Sequence, residues 1–282
     1  MITNMYAAIE AGGTKFVCGY GKGPEELEIS AEIRTRSPRE TMAEVAAFFA
    51  GRKLKRAGIA CFGPLQISKG KISKLTPKIE WRGHGIRATV EKMLDCEAVL
   101  DTDVNGAAMG EKMWGAAQES DNFVYVTVGT GIGGGVMVNG RLVHGLLHPE
   151  IGHMRIRRFM GDRFPGNCPV HGDCLEGLAA GPAIAARWGV EKAELLPENH
   201  LGWAMEAHYL GQMVVNLACT YSPEILILGG GISRRRGMLA MVRQSAAQEM
   251  GQYAPLPRIL APGLGARAGV LGALALARFT SR

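Results

Sequence analysis

Cysteine is scarce in this chain, with six residues in 282, too few for a disulfide scaffold. Four of them, Cys18, Cys61, Cys96 and Cys219, stand among apolar neighbours, where a buried free thiol is the ordinary state. A reducing, cytoplasmic location is therefore expected. The opening residues, MITNMYAAIE, lack the basic segment, apolar run and small-residue cleavage site of a secretory signal. No uninterrupted apolar stretch reaches the length that spans a bilayer, so no membrane partner is expected. The formal net charge is +6, yet the clearest basic runs, Arg155 to Arg158 and Arg234 to Arg236, are short and hold no interleaved aromatics. Nucleic acid is thus not the expected partner; a solvated basic face, or general attraction for anionic ligands such as nucleotides, fits better.

Against those shortages stands a chain that is 47% hydrophobic and long enough for two domains, each with its own core. Residues 5 to 21, MYAAIEAGGTKFVCGYG, read as strand, tight turn and strand. At the tip, Gly12 and Gly13 let backbone N–H groups approach a phosphate, and Thr14 and Lys15 add a hydroxyl and a positive charge. One such hairpin is more often only a turn. Residues 123 to 138, FVYVTVGTGIGGGVMV, repeat the pattern with Gly129, Thr130 and Gly131 at the tip. Two hairpins open two halves of an internally duplicated α/β protein, and facing each other across a cleft they could grip a triphosphate from both sides. The expected halves are residues 1–114, with the C-terminal helix at about 266–282 packing back on them, and 115–265.

Between the hairpins, residues 40 to 50 and 86 to 95 show helical spacing, and Gly58 to Leu65 reads as a strand broken at Gly63 and Pro64. Such a break places backbone at the carboxyl edge of the sheet, where α/β proteins bind ligands. Lys74, Lys78, Trp81 and Arg82 follow in a loop whose pattern fits a cleft lining and a plain surface equally well. Residues 98 to 115 read as strand, acidic turn and helix. Asp101 and Asp103 both compete there for a helix N-cap, which aspartate favours, and for a general base facing a cleft. Alternation puts them on one side of an extended segment, with Asp103, nearer the helix start, projecting from the sheet edge. Further on, Leu175 to Trp188 is expected to be one helix and Leu201 to Tyr221 another. The strand PEILILGGGIS, residues 223 to 233, runs into Gly229, Gly230 and Gly231, where a flat ring such as adenine could lie on bare backbone. The Ala- and Gly-rich helix at 264 to 277 must pack closely on its neighbours.

The densest chemistry lies in HPEIGHMRIRRFMGDRFPGNCPVHGDCLE, residues 148 to 176. Cys168, His171 and Cys174 are spaced by two residues, and His153 lies just upstream. Two thiolates and two imidazoles are a closed tetrahedral set for structural zinc, whose binding supplies folding energy to a loop without a core of its own. The alternative is a cysteine-containing loop with two unrelated histidines. Glu150 and Glu176 flank the set, so a closed metal site would also aim these acids, candidates for holding a polyhydroxylated substrate.

Taken together, E-A-G-G-T-K at 10 to 15, D-T-D-V-N at 101 to 105, V-G-T-G-I-G-G-G at 128 to 135, H-P-E-I-G-H at 148 to 153, C-P-V-H-G-D-C-L-E-G at 168 to 177 and L-G-G-G-I at 228 to 232 resemble the ROK family of sugar kinases, in particular its bacterial zinc-containing fructokinases. The resemblance covers nearly the whole chain. It implies the actin-like (ribonuclease H-like) ATPase fold, with ATP and Mg2+ in an interdomain cleft and a sugar as the other small-molecule partner. Asp103 resembles the family's catalytic base, and Glu150, His153 and Glu176 its sugar contacts, His153 being also a zinc ligand. His153, Cys168, His171 and Cys174 match the fructokinase-type knuckle. Glu10 stands where most relatives have Asp, and Thr102 where glucose-specific relatives often have Asn; both changes are similar to the fructokinase branch. Fructose is therefore the expected substrate, with mannose, glucose and N-acetylated hexosamines as the other hexoses in play. The family's fold also occurs in regulators fused to DNA-binding modules, but a first strand starting so near Met1 leaves no expected room for one. Dimers are frequent among similar proteins, so a homodimer is compatible with this reading.

Overall fold

A computed structural model describes residues 5–280, and the chain divides into two compact units. The first comprises residues 1–118, 143–148 and 263–282; the second comprises 119–142 and 149–262.

The first unit is built on a six-stranded sheet. Strands β1 (Tyr6–Ala11) and β2 (Lys15–Gly21) form the expected antiparallel hairpin, in register from Tyr6 opposite Gly21 to Ala11 opposite Phe16. Short strands β3 (Glu28–Ile29) and β4 (Ile33–Arg34) pair with β2. Helix α1 (Pro38–Phe49) starts two residues before the expected 40, for a local reason: Ser37 and Glu40 form a reciprocal capping box and Pro38 fills the first turn. Strand β5 (Arg56–Cys61) lies parallel to β1 and ends before a cis Gly63–Pro64 peptide. The small ribbon β6 (Leu65–Gln66) and β7 (Lys71–Ile72) follows, then α2 (Ile86–Leu94), β8 (Glu97–Thr102) parallel to β5, and α3 (Asp103–Trp114). The main path of the sheet is β3-β2-β1-β5-β8.

The second unit repeats this plan. Its hairpin is β9 (Phe123–Val128) and β10 (Ile132–Val138), extended by β11 (Arg141–Leu142) on one side and by parallel strands β12 (Ile225–Gly229) and β13 (Arg258–Leu260) on the other. The order β11-β10-β9-β12-β13 is the first sheet's order again: a hairpin, an edge strand beyond it, and two parallel strands on its other flank. Helices α4 (Leu175–Ala179), α5 (Gly181–Trp188), α6 (Leu201–Tyr221) and α7 (Met238–Met250) belong to this unit. The expected single helix from 175 to 188 is thus two. Ala180 is extended (φ −71°, ψ 157°); the Pro182 ring would clash with the Leu178 carbonyl in a continuous helix, and the Gly181 N–H is spent on Gly129 O at 2.8 Å.

The last helix, α8 (Ala268–Phe279), packs within the first unit, on β1, β5 and α3. Its small residues explain how. A Cβ on Gly58 would sit 1.9 Å from Ala273 O, and one on Gly272 would sit 2.3 Å from the Gly106 backbone, so these elements touch main chain to main chain. Cys18 and Cys61 are buried as free thiols, and burial pushes Cys18 up to about 12. Cys96 is half-buried and Cys219 exposed, against expectation: Cys219 falls on a solvent-facing position of α6 despite its apolar neighbours. Among the described residues no helix is long and apolar enough to cross a membrane.

Candidate active site and metal centre

In the first unit, the Asp101/Asp103 ambiguity is resolved by burial. Asp101 is 4% exposed and its carboxylate is saturated: Oδ1 accepts from Thr102 N (2.8 Å) and Asn105 Nδ2 (2.7 Å), and Oδ2 lies 2.9 Å from His144 Nε2. The N-cap of α3 is neither aspartate. It is Thr102, whose hydroxyl accepts from Asn105 N at 3.1 Å. Asp103 is the first helical residue rather than part of the extended segment, and it is exposed. Its carboxylate stands in the positive field of the helix start.

Glu10, at the end of β1, is pushed up to about 6, chiefly by burial and then by the charge of Asp103, with Lys15 opposing. The Glu10 carboxyl also accepts from the Val270 backbone, at the start of α8, and it occupies the space above Gly269, where a Cβ would fall 2.1 Å from its carboxyl carbon. Two carboxylates close enough for the charge of Asp103 to be felt at Glu10 are the oxygen-donor chemistry that magnesium takes.

At the first hairpin tip, Gly12 N donates to Lys15 O (3.0 Å), and the Thr35 segment is bonded on from behind, Oγ1 to Gly12 O (2.8 Å) and N to Thr14 O (2.9 Å). Gly13 and Thr14 lie at the tip between these anchored ends. Lys15 is paired with Glu32. Gly63 and Pro64 lie beyond β5, with Leu65 N donating to His148 Nε2 at 3.2 Å and the His148 ring 3.5 Å from where a Gly63 Cβ would be.

In the second unit, Gly129, Thr130 and Gly131 form the corresponding tip, closed by Gly129 N donating to Gly131 O at 2.9 Å. It borders a cavity of about 630 Å³ also lined by Gly181, Lys192 and Gly231, within the size range of small-molecule sites. Of Gly229, Gly230 and Gly231, only Gly231 lines it. Gly229 packs under the Tyr125 hydroxyl, and Gly230 turns the chain with φ +91°, its missing Cβ falling 2.2 Å from Val128 O.

The four proposed metal ligands converge. The donor atoms of His153, Cys168, His171 and Cys174 all lie within 4.8 Å of one another. Sγ of Cys168 is 3.8 Å from Nδ1 of both His153 and His171, and Sγ of Cys174 is 3.6 Å from Nδ1 of His153. Tetrahedral zinc with ordinary bond lengths separates S and N ligands by about 3.5 Å, so the donor set fits zinc. A loop bridge between Cys168 and Gly172 shapes the turn, with Gly172 at φ +65°. Arg155 and Arg158 both pair with Asp173, and the Arg158 bond holds the Asp173 carboxyl below its usual range.

From the knuckle the chain runs directly to the hairpin tip. Cys174 caps α4, and Glu176, two residues on, accepts from Ile132 N at 2.9 Å while filling the space over Gly131. Glu150 is exposed and begins the 3-10 turn that carries His153, whose N–H donates to Glu150 O at 3.0 Å. Two contributors were missed in the sequence. His144 gives no local signal, because its partner Asp101 is 43 positions away. Lys192, in the cavity wall, sits in a stretch without motif.

The ROK family model matches residues 6–279. Fructokinases from Zymomonas mobilis and Pediococcus pentosaceus are 40% and 37% identical to this chain, over 97% of it and 96% and 98% of their own lengths. A crystal structure of a ROK family glucokinase from Streptomyces griseus, in complex with glucose and AMPPNP, superposes with a TM-score of 0.78 at 25% identity, covering 98% of this chain and all of that one. Its architecture is that of the actin-like ATPases, as is this one. With the family model spanning nearly every residue and close relatives matching end to end, this chain belongs to the ROK family.

Proposed function

We propose that this protein is an ATP-dependent hexose kinase that converts fructose to fructose 6-phosphate. The observation that carries the proposal is the separation of the two aspartates: Asp101 is consumed by three bonds, leaving Asp103 as the solvent-facing carboxylate at the start of α3. Asp103 accepts the proton of the sugar's 6-hydroxyl as that oxygen attacks the γ-phosphorus; the O–P bond forms, the bond to the β-phosphate oxygen breaks, and ADP leaves. An ionised, weakly basic carboxylate suffices, because phosphoryl transfer asks the protein mainly for positioning and charge neutralisation. Magnesium bound with the nucleotide would neutralise charge on its phosphates, and Glu10, beside Asp103, is the carboxylate that would orient it.

In the second unit, the cavity bordered by Gly129, Thr130 and Gly231 is assigned to the nucleoside of ATP, and the tip N–H groups of Gly13 and Thr14 and of Thr130 and Gly131, which the hairpins do not use to close themselves, are assigned to phosphate contacts. Glu150, His153 and Glu176 are assigned to the sugar hydroxyls, with Gly63 and Pro64 contributing backbone. His153, Cys168, His171 and Cys174 would hold a structural zinc, because four protein ligands leave no open position; a metal there would fix the chain from which Glu176 reaches the hairpin. Fructose is favoured because the relatives named fructokinase are 34–40% identical, against 25–31% for those named glucokinase. An ATP-consumption assay with fructose, glucose, mannose and N-acetylated hexosamines tests the proposal: fructose is expected to give the highest kcat/KM, and turnover confined to another hexose, or to none, would overturn it.

A further inference from the structure

The sequence offers Lys15 as the cation of the first phosphate loop, but the structure employs it elsewhere. Lys15 opens β2 and is paired with Glu32, so its charge is already partly neutralised. A different lysine lies against the glycine tip. Lys78 runs alongside Gly13, its Cε 3.4 Å from the point where a Gly13 Cβ would be. Gly13 thus lets the aliphatic stem of Lys78 lie on the tip backbone, with the ammonium one bond further on. No ion pair of the described residues involves Lys78.

Two features make this position more than a surface accident. Lys78 caps the 3-10 turn Ile79–Trp81, and that turn is pinned by Trp81, which is 1% exposed. The indole packs 5.3 Å from the Phe16 ring and 5.8 Å from the Phe62 ring, and its Nε1 donates to Arg36 O at 2.8 Å. The Lys78 backbone is therefore held by a fully buried anchor three residues away. Between this turn and Thr35–Arg36, the segment bonded behind the tip, lies a hollow of about 230 Å³ with Lys78 in its wall. A deeply anchored lysine beside a bare glycine tip and an open hollow has the makings of a charge-assisted phosphate contact.

We propose that Lys78, not Lys15, supplies the positive charge that the first hairpin offers to the β- and γ-phosphates of ATP. The inference rests on the kinase reading given above. It is tested on the purified full chain by calorimetric titration with ATP, ADP and AMP, and by steady-state kinetics with fructose. Lys78→Met is expected to weaken ATP and ADP binding roughly tenfold or more, the scale of one lost charge-assisted hydrogen bond. AMP affinity and the KM for fructose should stay within about twofold, and Lys78→Arg should recover most of the loss. Lys15→Met is expected to weaken ATP less than Lys78→Met does. ATP and ADP affinities unchanged in Lys78→Met, or equal losses for AMP and ATP, would overturn the assignment. Wild-type protein that binds ATP but phosphorylates no hexose would sink the kinase reading alone, since the nucleotide titrations still decide the role of Lys78.

Discussion

The two hairpins share a sequence pattern and a strand order, yet their tips are held by different means. The first, at Gly12 to Thr14, is tied from behind by backbone of the Thr35 segment and flanked by a lysine that arrives from another loop. The second, at Gly129 to Gly131, is held from the side by a carboxylate, Glu176, and by the first N–H of α5. The contrast extends to the units around them. The first unit carries the acids Glu10 and Asp103; the second carries the knuckle and the large cavity. A duplicated framework has thus kept its sheet and diverged in what it hangs on the tips, because sheet packing depends on many positions and a tip contact on one.

The sharpest way to break the comparison is to disable one unit's chemistry and leave the other's intact. Asp103→Asn removes the proton acceptor without changing side-chain size and should lower kcat by about 10²- to 10⁴-fold, while zinc content and ATP affinity persist; near-wild-type turnover would refute the assignment. The converse disables the second unit. Purified protein should carry about one zinc per chain, and stripping it, or Cys174→Ala, should lower the melting temperature by roughly 10 °C. Less than half an equivalent of zinc in protein never exposed to chelator would count against four-ligand coordination.

Matched glycine substitutions sharpen the contrast between the tips. Gly131→Ala would put a Cβ 2.7 Å from Oε2 of Glu176 and expel that carboxylate from Ile132 N, costing roughly 1–3 kcal/mol by denaturant titration. Gly13→Ala meets only Lys78 Cε at ordinary contact distance and should stay within about 1 kcal/mol of wild type. Equal costs would mean that the two tips are supported alike. A pH-dependent effect concerns Glu10. Because its folded-state value is raised from 4.5 to about 6, the folded chain holds its proton more tightly than the unfolded one. Stability from this group is greatest at low pH and falls as pH rises from about 4.5 to 6, by at most about 2 kcal/mol. Glu10→Gln should flatten that slope in thermal melts, and an unchanged slope would show that other groups cause it.

Much of this is legible in the sequence wherever the physics is local. Alternating apolar strands around glycine announced both hairpins, and two-residue spacing between Cys168, His171 and Cys174 announced a shared centre, since such spacing brings donors together in any tight turn. The helix starting at Pro38 carries its own capping box. Other features depended on partners remote in the chain. Asp101 is buried at the end of β8 and one of its three contacts comes from His144, delivered by the segment 143–148 that joins the first unit from within the second unit's sequence. The break between α4 and α5 was written in Pro182, but a helical pattern on both sides masked it.

By itself the sequence determined the repeated sheet plan, the glycine tips, the donor set of the knuckle and the family, because these rest on residue type and short spacing. Tertiary structure alone decided which carboxylate is spent and which is exposed, and which lysine reaches the first tip. Those outcomes are set by burial and by contacts across tens of residues, and neither leaves a periodic or local mark in the chain.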